Sequence, residues 1–262
     1  AEGGVWTGPQ VAHWQATGQR PPVAVWTPAQ TAAFLQRYCD RDLYPPYLLV
    51  ALLGLRRGEV AGLRWCDVDL DGGVLMVSHQ VQDHNGRTVV CPPKTDSSVR
   101  AVALDHISMG VLRRFRACCE RQAVAGLNPE GFLFVNRQGE PLSPGYVTHT
   151  FRRWVAEADL PPIRLHDLRH GAASLSLAAG NDLKAVQAML GHSSIVLTAD
   201  TYTSVLPCLA HQAAEATAGL VLRAAQQTAR TVRGRSRRYK RCGTRSARKA
   251  TARRSGRSSA AA

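Results

Sequence analysis

The chain has 262 residues, of which 45% are hydrophobic and 20% charged, so it has enough apolar surface for a folded core and is not disordered throughout. Its formal net charge of +14 comes from residues 216–262, which contain 14 of the 33 Lys and Arg and no Asp or Glu. A neutral body followed by a polycationic tail predicts a polyanionic partner, either nucleic acid or an anionic membrane surface.

The N-terminal part of the chain is predicted to begin with a linker and continue with helices. Residues 1–26 contain Gly, Pro and Gln without a sustained period, which predicts a linker or loose arm. The first helix is predicted to begin at Thr27, where a hydroxyl cap is followed by proline and by glutamine at the third helical position. Further helices are predicted over residues 44–54 and 57–65. We find no internal repeat.

The middle of the chain changes from helical spacing to a period of two. Short strands are predicted at residues 74–77, 88–90 and 99–102, joined by an Asn85-Gly86 turn and a KTDSS loop. The elements predicted after them are a helix over 105–122, a strand at 132–134, and helices over 143–158, 166–179, 182–190 and 195–205. The predicted fold class is α+β, mainly helical, with a small antiparallel sheet between helices.

The C-terminal region is predicted to contain one more helix and a disordered basic tail. Gly180 and Gly191 follow predicted helices, where left-handed caps are expected. Apolar residues recur along one face over 208–229, and residues 230–262 lack large apolar side chains, so we expect that tail to be disordered unless it binds a polyanion. The tail residues predicted to bind DNA are Arg235, Arg237, Arg238, Lys240 and Arg241. An extension without a selected role is the alternative.

The cysteines and apolar stretches favour a cytoplasmic protein. Seven cysteines form no CxxC pair and no cluster with metal-ligand spacing, which favours reduced thiols and predicts no metal site. The longest apolar stretch, over 47–55, is about half of what a membrane-spanning helix needs. The tail lacks the apolar face of a membrane-binding helix, so DNA is the preferred polyanion and no membrane partner is expected.

Five polar segments form the candidate site. They are Gly54-Leu55-Arg56-Arg57-Gly58-Glu59, Pro93-Lys94-Thr95, His166-Asp167-Leu168-Arg169-His170, Leu190-Gly191-His192-Ser193-Ser194 and Thr201-Tyr202-Thr203. Each alone has an ordinary explanation, such as a surface cation at a helix start or a packing histidine. Together, in this order and around the predicted sheet, they resemble the catalytic domain of the tyrosine recombinases, the phage integrase family, from about residue 25 to 207.

The resemblance implies a nucleophilic tyrosine and a pair of arginines that bind phosphate. Tyr202 matches the residue that attacks a DNA phosphodiester, which leaves a 3′-phosphotyrosyl link and a free 5′-hydroxyl. A phenol has a pKa of about 10, so it needs cationic neighbours or a base to react at neutral pH. Arg56 and Arg169 match the pair whose guanidiniums bind the attacked phosphate in forked geometry. The implied reaction uses no metal and no cofactor.

Further residues match supporting positions of the family. His166 and His192 match groups that hydrogen-bond the phosphate or handle the tyrosine proton. Lys94 matches the lysine that protonates the departing 5′-oxygen. Glu59 matches the acidic position that holds catalytic groups in place, and His170 matches a position of structural support. Arg57 is interpreted as a surface cation.

The domain organisation implied by the resemblance is a catalytic domain over 27–207. Family members carry a helical core-binding domain before it, and here only residues 1–26 precede, so we expect that domain to lie upstream of this sequence or to be missing. The helix over 208–229 matches one that docks on a neighbouring subunit, whereas the tail over 230–262 matches no family element. The implied partners are double-stranded DNA, three further copies in a homo-tetramer on paired sites, and an accessory directionality factor.

Three functions remain open from the sequence. The leading one is a site-specific DNA recombinase or integrase, an enzyme acting in the cytoplasm on nucleoid DNA. Relaxation of DNA in the manner of type IB topoisomerases is a second, because the same residues serve it. The third is a truncated, non-catalytic DNA-binding remnant of an integrase, against which the complete set of catalytic residue types argues.

Overall fold

The computed structural model describes residues 4–20, 24–84, 87–93, 98–122 and 127–192, together with residues 218 and 222. The chain divides into two units, Ala1–Leu209 and Ala210–Ala262, and the two described residues of the second unit are helical and exposed. The predicted Asn85-Gly86 turn, the helix over 195–205 and the basic tail lie outside the described residues. The same holds for the predicted helix over 208–229, apart from those two positions.

The N-terminal segment contains regular structure that the sequence prediction missed. Strand β1 (Gly4–Val5) and helix α1 (Gly8–Thr17) are followed by strand β2 (Ala24–Val25) and helix α2 (Pro28–Arg37). The two strands pair in parallel, with Val5 opposite Val25. The prediction of a loose arm is therefore wrong for the described part of residues 1–26, because two-residue strands are too short for a period to reveal them.

The same segment is an internal repeat that the sequence analysis did not find. Each strand leads into a tryptophan and a threonine cap, in the sequences Val5-Trp6-Thr7 and Val25-Trp26-Thr27. In each copy of the repeat a glutamine at the third helical position accepts a hydrogen bond from the backbone N–H of the threonine, at 3.0 Å in the first copy and 2.9 Å in the second. Both copies therefore share the bond from threonine to glutamine, and in the second copy the Thr27 hydroxyl also accepts from the backbone N–H of Gln30 at 3.2 Å.

Two small antiparallel sheets lie between the helices. Strands β3 (Val68–Asp69), β4 (Val74–Val77) and β7 (Arg100–Ala103) form the first sheet in the order β3-β4-β7. Strands β5 (Gln80–His84) and β6 (Arg87–Cys91) form a separate pair. The predicted strand at 132–134 is wrong, because among the described residues that segment makes only one isolated bridge, Phe132 with Arg64.

The remaining helices form most of the core. They are α3 (Tyr44–Leu53), α4 (Arg57–Ala61), α5 (His106–Gln122), α6 (Pro144–Glu157), α7 (Leu165–Ala178) and α8 (Leu183–Leu190), with a 3-10 helix at Trp65–Asp67. Helix α3 is buried along most of its length and packs against α5 and α7. Helix α4 ends before Trp65, as predicted, and at Gly62 the chain lies against the backbone of Gln80. Among the described residues no helix is long and apolar enough to cross a membrane.

The turn after α3 determines where the candidate site begins. Gly54 caps α3 in the left-handed region, with a φ of 65°, which a residue with a Cβ rarely adopts. A Cβ at this position would lie 2.6 Å from Cδ2 of Leu190, so the end of α3 lies close to the end of α8. Only a glycine therefore allows both the turn and this approach, which brings the chain to Arg56.

Candidate active site

Arg56 lies at the N-terminus of α4, where its backbone and its side chain bind the same carboxylate. Its backbone N–H donates to Oε2 of Glu59 at 2.8 Å, and its Nη1 donates to Oε1 at 2.7 Å. Its Nη2 lies 3.3 Å from the carbonyl oxygen of Gly191, to which it donates. The Arg56 side chain remains 35% exposed, so it can also contact a ligand.

Arg169 lies on α7 and is almost completely buried. Its exposed fraction is 2%, and its guanidinium donates to the carbonyl oxygens of Gly54 and Leu190, the second at 2.7 Å. These acceptors are the C-terminal carbonyls of α3 and α8, which have no partner within their own helices. Arg169 therefore connects three helices at the point where the candidate site forms.

Glu59 is the buried carboxylate at the centre of this cluster. It is 2% exposed and receives Nη1 and Nη2 of Arg100, at 3.0 and 2.9 Å, in addition to the bonds from Arg56. Nη1 of Arg169 lies 3.9 Å from its Oε2. Burial alone raises the pKa of Glu59, but the hydrogen bonds and charges of Arg100 and Arg56 outweigh it and lower that pKa to about 2. The carboxylate is therefore ionised at neutral pH.

His166 and His170 lie one turn apart on α7, near Arg169. Their rings are perpendicular, with centroids 4.7 Å apart. Partial burial and the charge of Arg169 lower the pKa of His166. Burial and then His166 lower the pKa of His170 to about 4. Both imidazoles are therefore neutral at pH 7 and can each donate one hydrogen bond and accept another.

His192 follows the left-handed cap of α8. Gly191 ends the helix with a φ of 64°, and the carbonyl oxygen of His192 accepts a bond of 3.1 Å from Nε2 of Gln187. Burial lowers the pKa of His192 to about 4, with further lowering by Arg169 and Arg56.

The left-handed caps predicted at Gly180 and Gly191 are both present. Gly180, which follows α7, has a φ of 91°.

The low pKa of His192 predicts an acid-dependent stability. Folded His192 stays neutral down to about pH 4, whereas a histidine in the unfolded chain is protonated near pH 6.5, so the unfolded state binds more protons in between. Stability should therefore fall as the pH falls from 6.5 to 4. His192→Gln should reduce this slope, by up to about one proton, in urea unfolding measured at several pH values.

A control for this prediction is the exposed Gln36 of α2, which carries no titratable group. Gln36→Ala should leave the slope between pH 4 and 6.5 as it is in the native chain. The slope that remains in His192→Gln is attributed to His166 and His170, whose pKa values are also lowered. An unchanged slope in His192→Gln would contradict the assigned environment of this histidine.

The cluster opens into a basic cleft of about 600 Å³. The basic side chains that line it are Arg56, Arg57, Arg152, Arg164, His166 and Arg169. Strand β5 forms another part of the wall, and its Asp83 accepts a bond of 2.9 Å from the backbone N–H of Gly145 at the start of α6. A cleft with this charge suits a polyanion such as a nucleic acid backbone.

The structure brings together six of the residues predicted from the sequence and adds two. The six are Arg56, Glu59, His166, Arg169, His170 and His192. Lys94, Tyr202 and the tail residues Arg235, Arg237, Arg238, Lys240 and Arg241 lie outside the described residues. Arg57, predicted to be a surface cation, lines the cleft and donates to Oγ1 of Thr148 at 3.3 Å.

Arg100 is the second addition, and the sequence analysis did not select it. Its side chain is 7% exposed. The period of two places Arg100 on the same strand face as buried Val102. A charged residue at a position predicted to be buried is the sequence signal that could have identified Arg100. The described residues contain no group of three or more His, Cys, Asp or Glu that could hold a metal ion.

Comparisons with known proteins agree on one family. A sequence model of the phage integrase family matches residues 32–207. The chain is 31% identical over 176 residues to the tyrosine recombinase XerC-like protein of Caldanaerobacter subterraneus subsp. tengcongensis, and this alignment covers 62% of the chain and 45% of that protein. It is 28% identical over 193 residues to the ICEBs1 integrase of Bacillus subtilis, and that alignment covers 72% of the chain and 52% of the integrase.

A solved structure gives the same relationship. The integrase of transposon Tn1549, in complex with transposon right end DNA, superposes with a TM-score of 0.61 at 28% identity, covering 70% of this chain and 62% of that one. The chain spans about half the length of the curated relatives that it matches.

Proposed function

Because this chain belongs to the phage integrase family, we propose that it is the strand-transfer domain of a site-specific DNA recombinase. In this reaction Tyr202 attacks a DNA phosphodiester, forms a 3′-phosphotyrosyl bond and releases a 5′-hydroxyl, and the reverse step rejoins the strand to a new partner. The observation that carries the proposal is the placement of Arg56 and Arg169 around one buried carboxylate, next to three histidines and at the wall of a basic cleft.

Arg56 is the main contact for the attacked phosphate in this proposal. Its side chain is partly exposed in the cleft, and its bonds to Glu59 fix the direction of the guanidinium. Arg169 lines the same cleft and adds a second positive charge, while it holds the ends of α3 and α8. Charge that develops on the non-bridging oxygens meets preoriented donors, which lowers the barrier without a bound metal or cofactor.

The proton transfers are assigned to the side chains that match the family's proton donors and acceptors. Neutral imidazoles at His166 and His192 can donate to a phosphate oxygen or accept the tyrosine proton at pH 7. Lys94 follows the β5–β6 pair by a few residues and is assigned the protonation of the leaving 5′-oxygen. Glu59 and His170 support these groups without contacting DNA.

The proposed partner is double-stranded DNA, on which the protein works as a homo-tetramer with an accessory directionality factor, in the cytoplasm on nucleoid DNA. The related Tn1549 integrase was solved with DNA, and the basic lining of the cleft suits the same polyanion. The tail residues Arg235, Arg237, Arg238, Lys240 and Arg241 are proposed to add a sequence-independent, salt-dependent attachment to DNA.

Replacement of Tyr202 by phenylalanine tests the proposed nucleophile. The native chain should form a covalent protein–DNA complex with nicked duplexes whose cleaved end diffuses away, and Tyr202→Phe should form none, because it lacks the attacking oxygen. Since the target sequence is unknown, the duplexes carry a randomised region. Covalent complexes are isolated under denaturing conditions in the presence of EDTA, and their DNA is sequenced.

The matched control is Tyr146→Phe, which alters an exposed tyrosine of α6 and should leave the covalent complex intact. A complex that persists in Tyr202→Phe would refute the assigned nucleophile. DNA binding without any complex in the native chain would favour the non-catalytic remnant. Relaxation of supercoiled plasmid without exchange of strands between two sites would favour the topoisomerase reaction.

A further inference from the structure

Arg100 has an unusual set of partners for a residue in a short strand. Its Nη1 and Nη2 donate to the two oxygens of Glu59, at 3.0 and 2.9 Å, in a bidentate arrangement. Its Nε donates to the carbonyl oxygen of Met189 at 2.8 Å, and its Nη1 also lies 3.1 Å from that of Ser98. A side chain that is 7% exposed thus connects β7, α4 and the end of α8.

The last carbonyls of α8 are shared among three arginines. Met189, Leu190 and Gly191 accept from Arg100, Arg169 and Arg56 respectively. The C-terminus of a helix carries partial negative charge and unsatisfied carbonyls, so guanidiniums are favourable partners there. Since His192 is the next residue, the same contacts fix the backbone position from which its side chain extends.

The packing of Arg100 against the α8 cap is close. A Cβ at Gly191 would lie 2.9 Å from Cδ of Arg100, so the glycine allows the helix end to rest on this side chain. Oε1 of Glu59 accepts from both Arg100 and Arg56. The orientation of the Arg56 guanidinium therefore depends on a carboxylate whose own orientation Arg100 determines.

We propose that Arg100 is a positioning residue for strand transfer, which holds Glu59 and the end of α8 so that Arg56 and His192 face the phosphate. The inference rests on the proposed function. Arg100 itself does not contact DNA in this arrangement, because the bidentate pair and the helix carbonyl occupy its guanidinium. Its effect on the reaction passes through Arg56 and His192.

The proposal predicts a change in the acid behaviour of the site. The charged groups that face Glu59 are Arg56 on α4, Arg100 on β7 and Arg169 on α7, and His192 lies close to these arginines at the end of α8. Without Arg100, fewer cations counteract the effect of burial on Glu59, so the pKa of Glu59 rises toward the pH range in which cleavage is measured. Protonated Glu59 would then bind Arg56 less well.

The experiment compares Arg100→Lys and Arg100→Met with the native chain of 262 residues. Cleavage is followed under single-turnover conditions at saturating nicked DNA, at a temperature where each variant is folded. Arg100→Met should lower the cleavage rate by about 10- to 100-fold, with a change in Kd below about threefold, because binding charges in the cleft remain. Arg100→Lys should recover part of the rate, since it keeps the charge but loses the fork.

The pH profile separates positioning from a loss of stability. The cleavage rate of Arg100→Met should fall as the pH decreases from 7 to 5, more steeply than that of the native chain. Adding Glu59→Gln should remove this difference, because the titrating group is gone. Arg64→Met is the matched control: Arg64 is a partly buried arginine paired with Glu130 at 2.6 Å, away from the cleft, and its loss should lower Tm without changing the rate or the profile.

A measurement without catalysis keeps the inference independent of the proposed function. The ¹H–¹³C spectrum of the imidazole Cε1 groups identifies His192 by the signal missing in His192→Gln. Arg100→Lys, which keeps the charge, should shift this signal, because the end of α8 loses the fork that holds it, whereas Arg64→Met should not. If native protein forms no covalent complex, the proposed function fails, and this spectrum still decides whether Arg100 positions His192.

Three results would overturn the inference. One is cleavage by Arg100→Met at the native rate with the native pH profile. Another is a His192 signal that is unchanged in both Arg100 variants, whether or not the protein cleaves DNA. A lower rate in Arg100→Met that is matched by Arg64→Met at equal Tm would equally assign Arg100 to general stability.

Discussion

Replacing Arg56 by lysine should lower the rate of covalent complex formation by about 10²–10³, by analogy with the loss of a donor to a transition-state oxygen. Lysine keeps the positive charge and can still pair with Glu59, but it cannot donate in a planar fork to two phosphate oxygens. Because the Arg56 side chain is 35% exposed, its pair with Glu59 is screened, and the free energy of unfolding should change by less than about 1 kcal/mol.

The measurement is single-turnover cleavage of nicked DNA, with urea unfolding of the same preparations. Arg116→Lys is the matched control, because Arg116 is an exposed arginine that pairs with Glu120 one turn along α5. It should leave both quantities unchanged. A loss of less than about fivefold in Arg56→Lys would remove Arg56 from the phosphate contact and leave its role to another residue of the cleft.

Replacing Glu59 by alanine should destabilise the protein by about 3–5 kcal/mol at pH 7. The substitution leaves Arg100 buried without its carboxylate and removes the cap of the α4 N-terminus, where the Glu59 side chain accepts from the backbone of Arg56. Glu130→Ala is the matched control, because Glu130 also pairs with an arginine but is 58% exposed. Its loss should cost less than about 1 kcal/mol in urea unfolding.

The Glu59 contribution should also depend on pH in a defined direction. The pKa of Glu59 is about 2 in the folded chain and 4.5 ordinarily, so the ionised carboxylate stabilises the fold above pH 4.5 by about 3 kcal/mol. This stabilisation is lost as the pH falls from 4.5 toward 2. Glu59→Gln, which does not titrate, should lose that part of the acid dependence. Equal costs for Glu59→Ala and Glu130→Ala would contradict the buried pair.

The family and the α+β fold class predicted from the sequence are confirmed. The helix starts were predictable because their signals are local: Thr27 and Ser143 cap α2 and α6 as expected. The relation between Arg56 and Glu59 is local as well, because three residues separate them at a helix start. Such features depend on residues that are close neighbours along the chain.

The features that the sequence did not reveal depend on distant partners. Arg100 meets Glu59 across 41 residues, and Met189 across 89, so neither contact leaves a mark in local periodicity. Arg57 is exposed, as its interpretation as a surface cation implies, but its place in the lining of the cleft also depends on distant parts of the chain. The structure brings several of the predicted residues together, but the catalytic roles stay predictions for the whole set: Arg56, Lys94, His166, Arg169, His192 and Tyr202.

The N-terminal repeat has a consequence for how the chain folds. Both copies contain the same short pattern: a strand, a tryptophan, a threonine cap and a glutamine. Local sequence preferences therefore favour the same strand-to-helix structure in both copies. The distinction is tertiary: Trp26 packs on Phe34, and its Nε1 donates to the carbonyl oxygen of Pro161 at 2.8 Å. Among the described residues, the buried Nε1 of Trp6 has no such acceptor. What distinguishes the second copy is therefore a contact with a residue 135 positions away, and forming that contact requires closing a long loop at an entropic cost.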